Sequence, residues 1–242
     1  MEKIIAALWR SESESREAFN ARLLAELPGA LRPAGASAVR LNLRDEAVDA
    51  ATDLIQLWQS PQQDAIVQFW LPSANARFRG EIDAVLASGG QRFSAWLVAE
   101  STIIANNAHR PATGERTWGW SQASFITFRQ DMTHNAAVEH WHGHHTRVAI
   151  DTQSNFEYVQ NIVVRALTPD APAYDAFVEE CFPAGAMTDA ALFFDAAGDQ
   201  AKFDANLAAM QESCAAFIDF TQIDIIPTSQ FDFAGLDKGN GA

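Results

Sequence analysis

The chain has 242 residues, 48% hydrophobic and 20% charged, a globular composition with enough apolar material for a sizeable core. Its formal charge of −14 repels a phosphate backbone or an anionic bilayer, so no nucleic-acid or membrane partner is expected. Cys181 and Cys214 stand alone and no apolar run approaches the ~18 residues of a membrane span, which excludes a disulfide framework and a thiolate metal site and makes a reducing cytoplasm the expected location.

The chain repeats itself. Ile4 to Trp9 is a β-type run followed by a helix cap at Ser15, and at an offset of 118 it lands on Gln122 to Thr127 with a cap at Thr133. Ala38 to Leu43 supplies a second strand. Ala65 to Trp70 is a third, followed by apolar residues at helical spacing, Phe78 and Ile82. At an offset of 125 these match Ala190 to Asp195, Phe203 and Leu207, while Tyr158 to Arg165 provides the second strand of the later half. Phe93 to Trp96 and Phe217 to Phe220 open a last strand in each.

This order predicts an α+β fold of two tandem ferredoxin-like β-α-β-β-α-β units, packed sheet to sheet as an intramolecular dimeric α+β barrel. The predicted division is a first unit at 1–105, a polar linker at 106–116, a second unit at 117–233 and a loose Gly-rich tail at 234–242. The halves differ in surface, since residues 1–110 hold 11 basic and 13 acidic residues and residues 111–242 hold 6 and 18.

Five of the six histidines fall between His134 and His145. At 100° per residue His134, Val138, Trp141, His145 and Ala149 share a helix face, with His142 on its flank. In the repeat, Leu23 stands opposite Trp141 and Leu27 opposite His145. An imidazole therefore occupies a position where the fold accepts leucine, and the desolvation this costs points to function. A histidine satisfied by a core carbonyl is the plainer alternative. His140 and His144 have the one-turn spacing that serves zinc in HExxH helices, but Glu139 lies on another face and no third ligand is visible, so no metal is expected.

The run Thr133-His134-Asn135-Ala136-Ala137-Val138-Glu139-His140-Trp141-His142-Gly143-His144-His145 resembles the first-helix motif of the EthD family, in which a Trp precedes a His by four residues. Trp141 and His145 are the matching pair. Ala137 stands where the family usually has an aromatic, with Val138 as a packing substitute. The resemblance implies membership of the dimeric α+β barrel group, chemistry in the second unit, and a first unit that is a degenerate structural partner. Relatives include cofactor-free lyases, cyclases and isomerases of aromatic or polyketide carbonyl compounds, and haem-handling or monooxygenase proteins.

The leading expectation is a cofactor-independent lyase or isomerase, of dehydratase, decarboxylase or cyclase type, acting on a hydrophobic carbonyl or aromatic compound. Imidazole titrates near neutrality, so His145, with His142 beside it, is the expected acid/base residue. Trp141, Trp120, Phe125 and Tyr158 are the expected substrate contacts. The alternative is a non-catalytic small-molecule or haem-binding accessory protein in which His145 is a ligand or a packing residue. A homodimer through the outer surfaces is possible. No Walker A loop, strand-following GxGxxG or GxSxG elbow is present, which argues against nucleotide-dependent and triad-hydrolase chemistry.

Overall fold

The computed structural model describes residues 1–233; the tail expected to be loose, 234–242, lies outside the described residues. Strand β1 (Glu2–Trp9) leads to helix α1 (Arg16–Leu31), capped by the Ser15 hydroxyl, which accepts from the Ala18 N–H. Then come β2 (Val39–Leu43), a 3₁₀ stretch (Glu46–Leu54), β3 (Ala65–Leu71), α2 (Gly80–Gly89) and β4 (Arg92–Ile104). The second half runs β5 (Trp120–Phe128), α3 (His134–His140), a π-helical turn (Trp141–His145), α4 (Thr146–Thr152), β6 (Glu157–Ala166) and β7 (Ala176–Phe182). It ends with α5 (Ala190–Phe193), α6 (Gln200–Ala215) and β8 (Ile218–Asp232).

The expected pair of ferredoxin-like units with facing sheets is not what forms. All eight strands close into one antiparallel barrel in the order β1-β3-β2-β8-β5-β7-β6-β4. Two ladders cross between the halves: β2 pairs with β8, Leu41 opposite Phe231, and β4 pairs with β6, Ala99 opposite Ile162. Two separate sheets would each leave edge strands with unpaired N–H and C=O groups, and closure removes every edge.

The segment Ala190 to Asp195 is also not a strand. Asp189 accepts from the Ala191 and Leu192 N–H groups and starts the short helix α5 there. The strand is β7, Ala176-Phe177-Val178-Glu179-Glu180-Cys181-Phe182, every residue of which is buried.

Alternation along the strands sorts side chains into two environments. Inside the barrel, towards Trp9, sit Ile5, Ala7, Trp96, Phe125, Phe177 and Tyr174. Towards Lys3 the interior turns polar: Arg40 donates to Glu157 (2.7 Å), Glu179 (3.0 Å) and Asp232 (3.0 Å). Burial works against the Glu179 carboxylate, but Arg40 and the amides of Asn42, Gln230 and Gln68 outweigh it and hold the group below the usual range.

Outside, α1 and α2 cover one part of the barrel, with Phe19, Leu23, Leu27 and Ile82 on Ile4, Ala6 and Leu8. Each such side chain contributes about 1.5–3 kcal/mol on burial. The α3–α4 segment and α6 cover another, with Ala137, Trp141, Ala149 and Met210 against Phe128, Tyr158 and Val178. This second cover is incomplete, and the gap is the site.

Candidate active site

Three elements wall a cavity of about 570 Å³ on the outer face of the barrel, within the range of about 300–1,000 Å³ usual for small-molecule sites. The floor is sheet: outward positions of β5, β6, β7 and β8 present Ile126, Tyr158, Val178, Glu180 and Ile223. The roof is the π-turn, with Trp141 and His145, and α6, with Met210 and Cys214.

The π-turn explains why Trp141 and His145 point the same way. From Ala137 to Ala149 the buried residues are Ala137, Trp141, His145 and Ala149, a four-residue spacing that a regular α-helix would let drift around its axis. Widening one turn keeps them in line. Thr146 Oγ1 donates to the Trp141 carbonyl (2.9 Å), which also accepts the Thr146 backbone N–H in the i+5 pattern of the π-turn.

Hydrogen bonds fix the polar atoms of the cavity wall. Because Thr146 Oγ1 spends its hydrogen on Trp141, it accepts from Gln160 Nε2 (2.8 Å), which sets the orientation of that amide. The same NH₂ donates to the Tyr158 hydroxyl (2.7 Å), which also accepts from Trp141 Nε1 (3.2 Å). With both lone pairs engaged, the phenolic hydrogen has no acceptor among the described residues. Burial, with Glu180 nearby, pushes this phenol above its ordinary range, so it stays protonated.

His145 is 8% exposed, and its Nδ1 lies 3.0 Å from Ser213 Oγ on α6. Ser213 is buried and its hydroxyl has no other partner among the described residues, so it donates to Nδ1 rather than leave a donor unpaired. The ring proton then resides on Nε2, the nitrogen without a partner among the described residues. Burial, followed by the neighbouring His140 and His144, lowers the imidazole to about 4, so the ring is neutral at physiological pH. Across the cavity, burial pushes the Glu180 carboxyl up to about 7 against the opposing hydrogen bond from Asn155. Cys214 Sγ, 4.0 Å from His145 Nδ1, is likewise raised by burial, to about 12, and stays a thiol.

Of the residues singled out from sequence, the structure brings Trp141, His145 and Tyr158 together in this wall. His142 is exposed on the far side of the π-turn and does not line the cavity. Trp120 stacks on Phe182 (centroids 5.4 Å apart) in a separate cluster, and Phe125 stacks on Tyr174 (4.8 Å) inside the barrel; neither reaches the cavity. Both belong to β5, whose alternation sends its odd-numbered side chains inward and whose first residue lies beyond the site. His140 Nε2–H donates to the Ser213 carbonyl (3.1 Å), and no group of three or more His, Cys, Asp or Glu suited to a metal occurs among the described residues.

Glu180, Ser213 and Gln160 escaped the sequence reading. For Glu180 a signal existed: two adjacent glutamates within an otherwise apolar seven-residue run of strand length. No helix of the described residues is long and apolar enough to cross a membrane.

Residues 129–221, under half of the chain, match the family model described as the EthD domain. A comparison with curated proteins found no match. Among solved structures the chain is similar to one described as an anthrone oxidase-like protein, with a TM-score of 0.56 and 8% identity, covering 97% of this chain and 93% of that one. A "putative monooxygenase" from Lactobacillus acidophilus NCFM aligns at a TM-score of 0.47 and 11% identity over 95% of this chain and 93% of that one. At these identities the first likeness bears on the fold alone. The stretch similar to the EthD domain is the stretch that carries Trp141, His145, Tyr158, Glu180 and Ser213.

Proposed function

We propose that the chain is an enzyme of lyase or isomerase type that moves a proton on a flat, hydrophobic carbonyl or aromatic compound held in this cavity, with His145 serving the ligand's oxygen. The observation that carries the reading is the unpartnered Nε2 of a neutral His145 in a largely apolar cavity of about 570 Å³. Trp141, Phe217, Met210 and Ile223 offer apolar surface for a ring system. Two donors without protein acceptors, His145 Nε2–H and the Tyr158 hydroxyl, suit an oxygen that gains negative charge as a neighbouring C–H bond breaks. A neutral imidazole donates to such an oxygen without placing a buried cation beside it.

Anthrone is a suitable probe, being a flat ketone with an enolisable methylene group, and its uptake of deuterium from D₂O reports proton transfer directly. The expected result is exchange faster than in buffer alone, falling by about 10²- to 10⁴-fold in His145→Ala. Binding of anthrone without accelerated exchange would instead identify a carrier or accessory protein.

A further inference from the structure

We propose that Glu180 is the base of this site: its carboxylate takes a proton from a carbon conjugated with the ligand's carbonyl and delivers it to another atom of the same ligand. The inference rests on reading the cavity as a proton-transfer site and names the residue that does the transfer.

The two adjacent glutamates of β7 make the comparison. Glu179 faces into the barrel, meets Arg40, and accepts from Asn42, Gln68 and Gln230. It is a fully satisfied structural carboxylate. Glu180 faces the other way, into the cavity wall, 7% exposed. Asn155 Nδ2 donates to its Oε1 (2.9 Å), and Oε2 has no partner among the described residues. The sheet register sets Tyr158 opposite it on β6 and Gln122 opposite it on β5. The titratable groups that face it are Tyr158 from β6, His145 from the π-turn and Cys214 from α6, and no lysine or arginine among the described residues lines the cavity. A carboxyl in an apolar wall with one hydrogen bond and no cation is costly to keep for structure alone.

The same surroundings tune it. With the carboxyl raised to about 7, base and acid forms coexist at neutral pH, which is where proton transfer is most efficient. His145, lowered to about 4, is a poor base and an uncharged donor. Two titratable groups driven apart in this way divide the work: Glu180 at carbon, His145 and Tyr158 at oxygen.

The step balances without an oxidant. The C–H bond breaks as the Glu180 O–H bond forms, and the electron pair moves through the conjugated π system to the carbonyl oxygen, which His145 Nε2–H and the Tyr158 hydroxyl stabilise. In an isomerisation the carboxyl returns the proton to a different carbon as the pair moves back. In a dehydration it gives the proton to a hydroxyl on the next carbon, whose C–O bond breaks and which leaves as water. The substrate class is thus a flat ketone with an acidic C–H conjugated to its carbonyl, or a derivative with a hydroxyl on the carbon next to that C–H.

The test is the pH profile of deuterium uptake at the methylene of anthrone, across about pH 5 to 9. The wild-type rate is expected to rise with a midpoint near 7. Glu180→Gln is expected to lose about 10²- to 10⁴-fold while still binding anthrone. Asn155→Ala removes the hydrogen bond that favours the carboxylate, so its midpoint should move to higher pH with the plateau retained; this arm decides the matter should Glu180→Gln fail to fold. Exchange that persists within about tenfold in Glu180→Gln, yet is lost in His145→Ala, overturns the role of Glu180 and leaves the proton-transfer reading standing. A wild-type protein that binds anthrone and exchanges nothing overturns that reading, and this inference with it.

Discussion

His145 and Glu180 are buried groups shifted in opposite directions, and each shift makes stability depend on pH. Unfolded, Glu180 ionises near 4.5; folded, it holds its proton to about 7. Between those values the folded state binds more protons, so stability falls as pH rises, by up to about 3 kcal/mol from this group. For His145 the unfolded ring takes a proton below about 6.5 and the folded ring only near 4, so stability falls as pH drops through that window. Glu180→Gln should therefore gain stability over wild type at pH 8 and little at pH 4.5, measured by urea unfolding; an equal difference at both would show that the carboxyl is not raised. His145→Leu, which copies Leu27 of the other half, should abolish exchange and raise the thermal midpoint, more at pH 5 than at pH 8. His145→Ala should lose activity with the midpoint nearly unchanged. A midpoint lowered in both variants would make His145 a packing residue.

At the scale of elements, most strands are legible in the sequence. The runs Ile4 to Trp9, Ala38 to Leu43, Ala65 to Trp70, Gln122 to Thr127 and Tyr158 to Arg165 fall on β1, β2, β3, β5 and β6 within a residue or two, because their apolar alternation survives. Strand β7 was hidden by Glu179 and Glu180, which break the apolar run for reasons internal to the fold: one neutralises Arg40, the other faces the cavity. Missing the strand and missing the carboxyl were one error. The histidine helix is legible as a helix, and Trp141 with His145 as neighbours on its cavity-lining face, but a 3.6-residue period cannot foresee the π-turn, and so it brings His142 too near the site. Deleting Gly143 should restore α-helical turns, in which Trp141 and His145, then three residues apart, stand about 60° from alignment around the axis, with activity lowered and the fold retained. Gly143→Ala is the control: no atom lies within 4 Å of the added Cβ, so activity should persist and stability rise by about 0.5–1 kcal/mol. Loss of activity in the alanine variant would show that the turn needs glycine itself.

At the scale of the whole molecule, the offset matches expected from the sequence carry no information on how strand edges meet. The ladders β2·β8 and β4·β6 join residues that no short-range pattern links, and they turn two open sheets into one barrel. Residues 1–110 expressed alone should consequently fail to fold cooperatively, since β2 and β4 would both be bare edges; a two-state transition for that fragment would contradict the dependence. The barrel supplies a rigid floor that carries the Tyr158 hydroxyl, and the covering segment supplies His145, an arrangement that suits the proposed seat of one oxygen between the two. A crystal structure of the protein with anthrone bound tests this most directly. The account predicts the ketone oxygen within hydrogen-bond distance of His145 Nε2 and the Tyr158 hydroxyl, with the methylene carbon against Glu180 Oε2. Anthrone seated elsewhere, or in the cavity with its oxygen turned away from both donors, would contradict it.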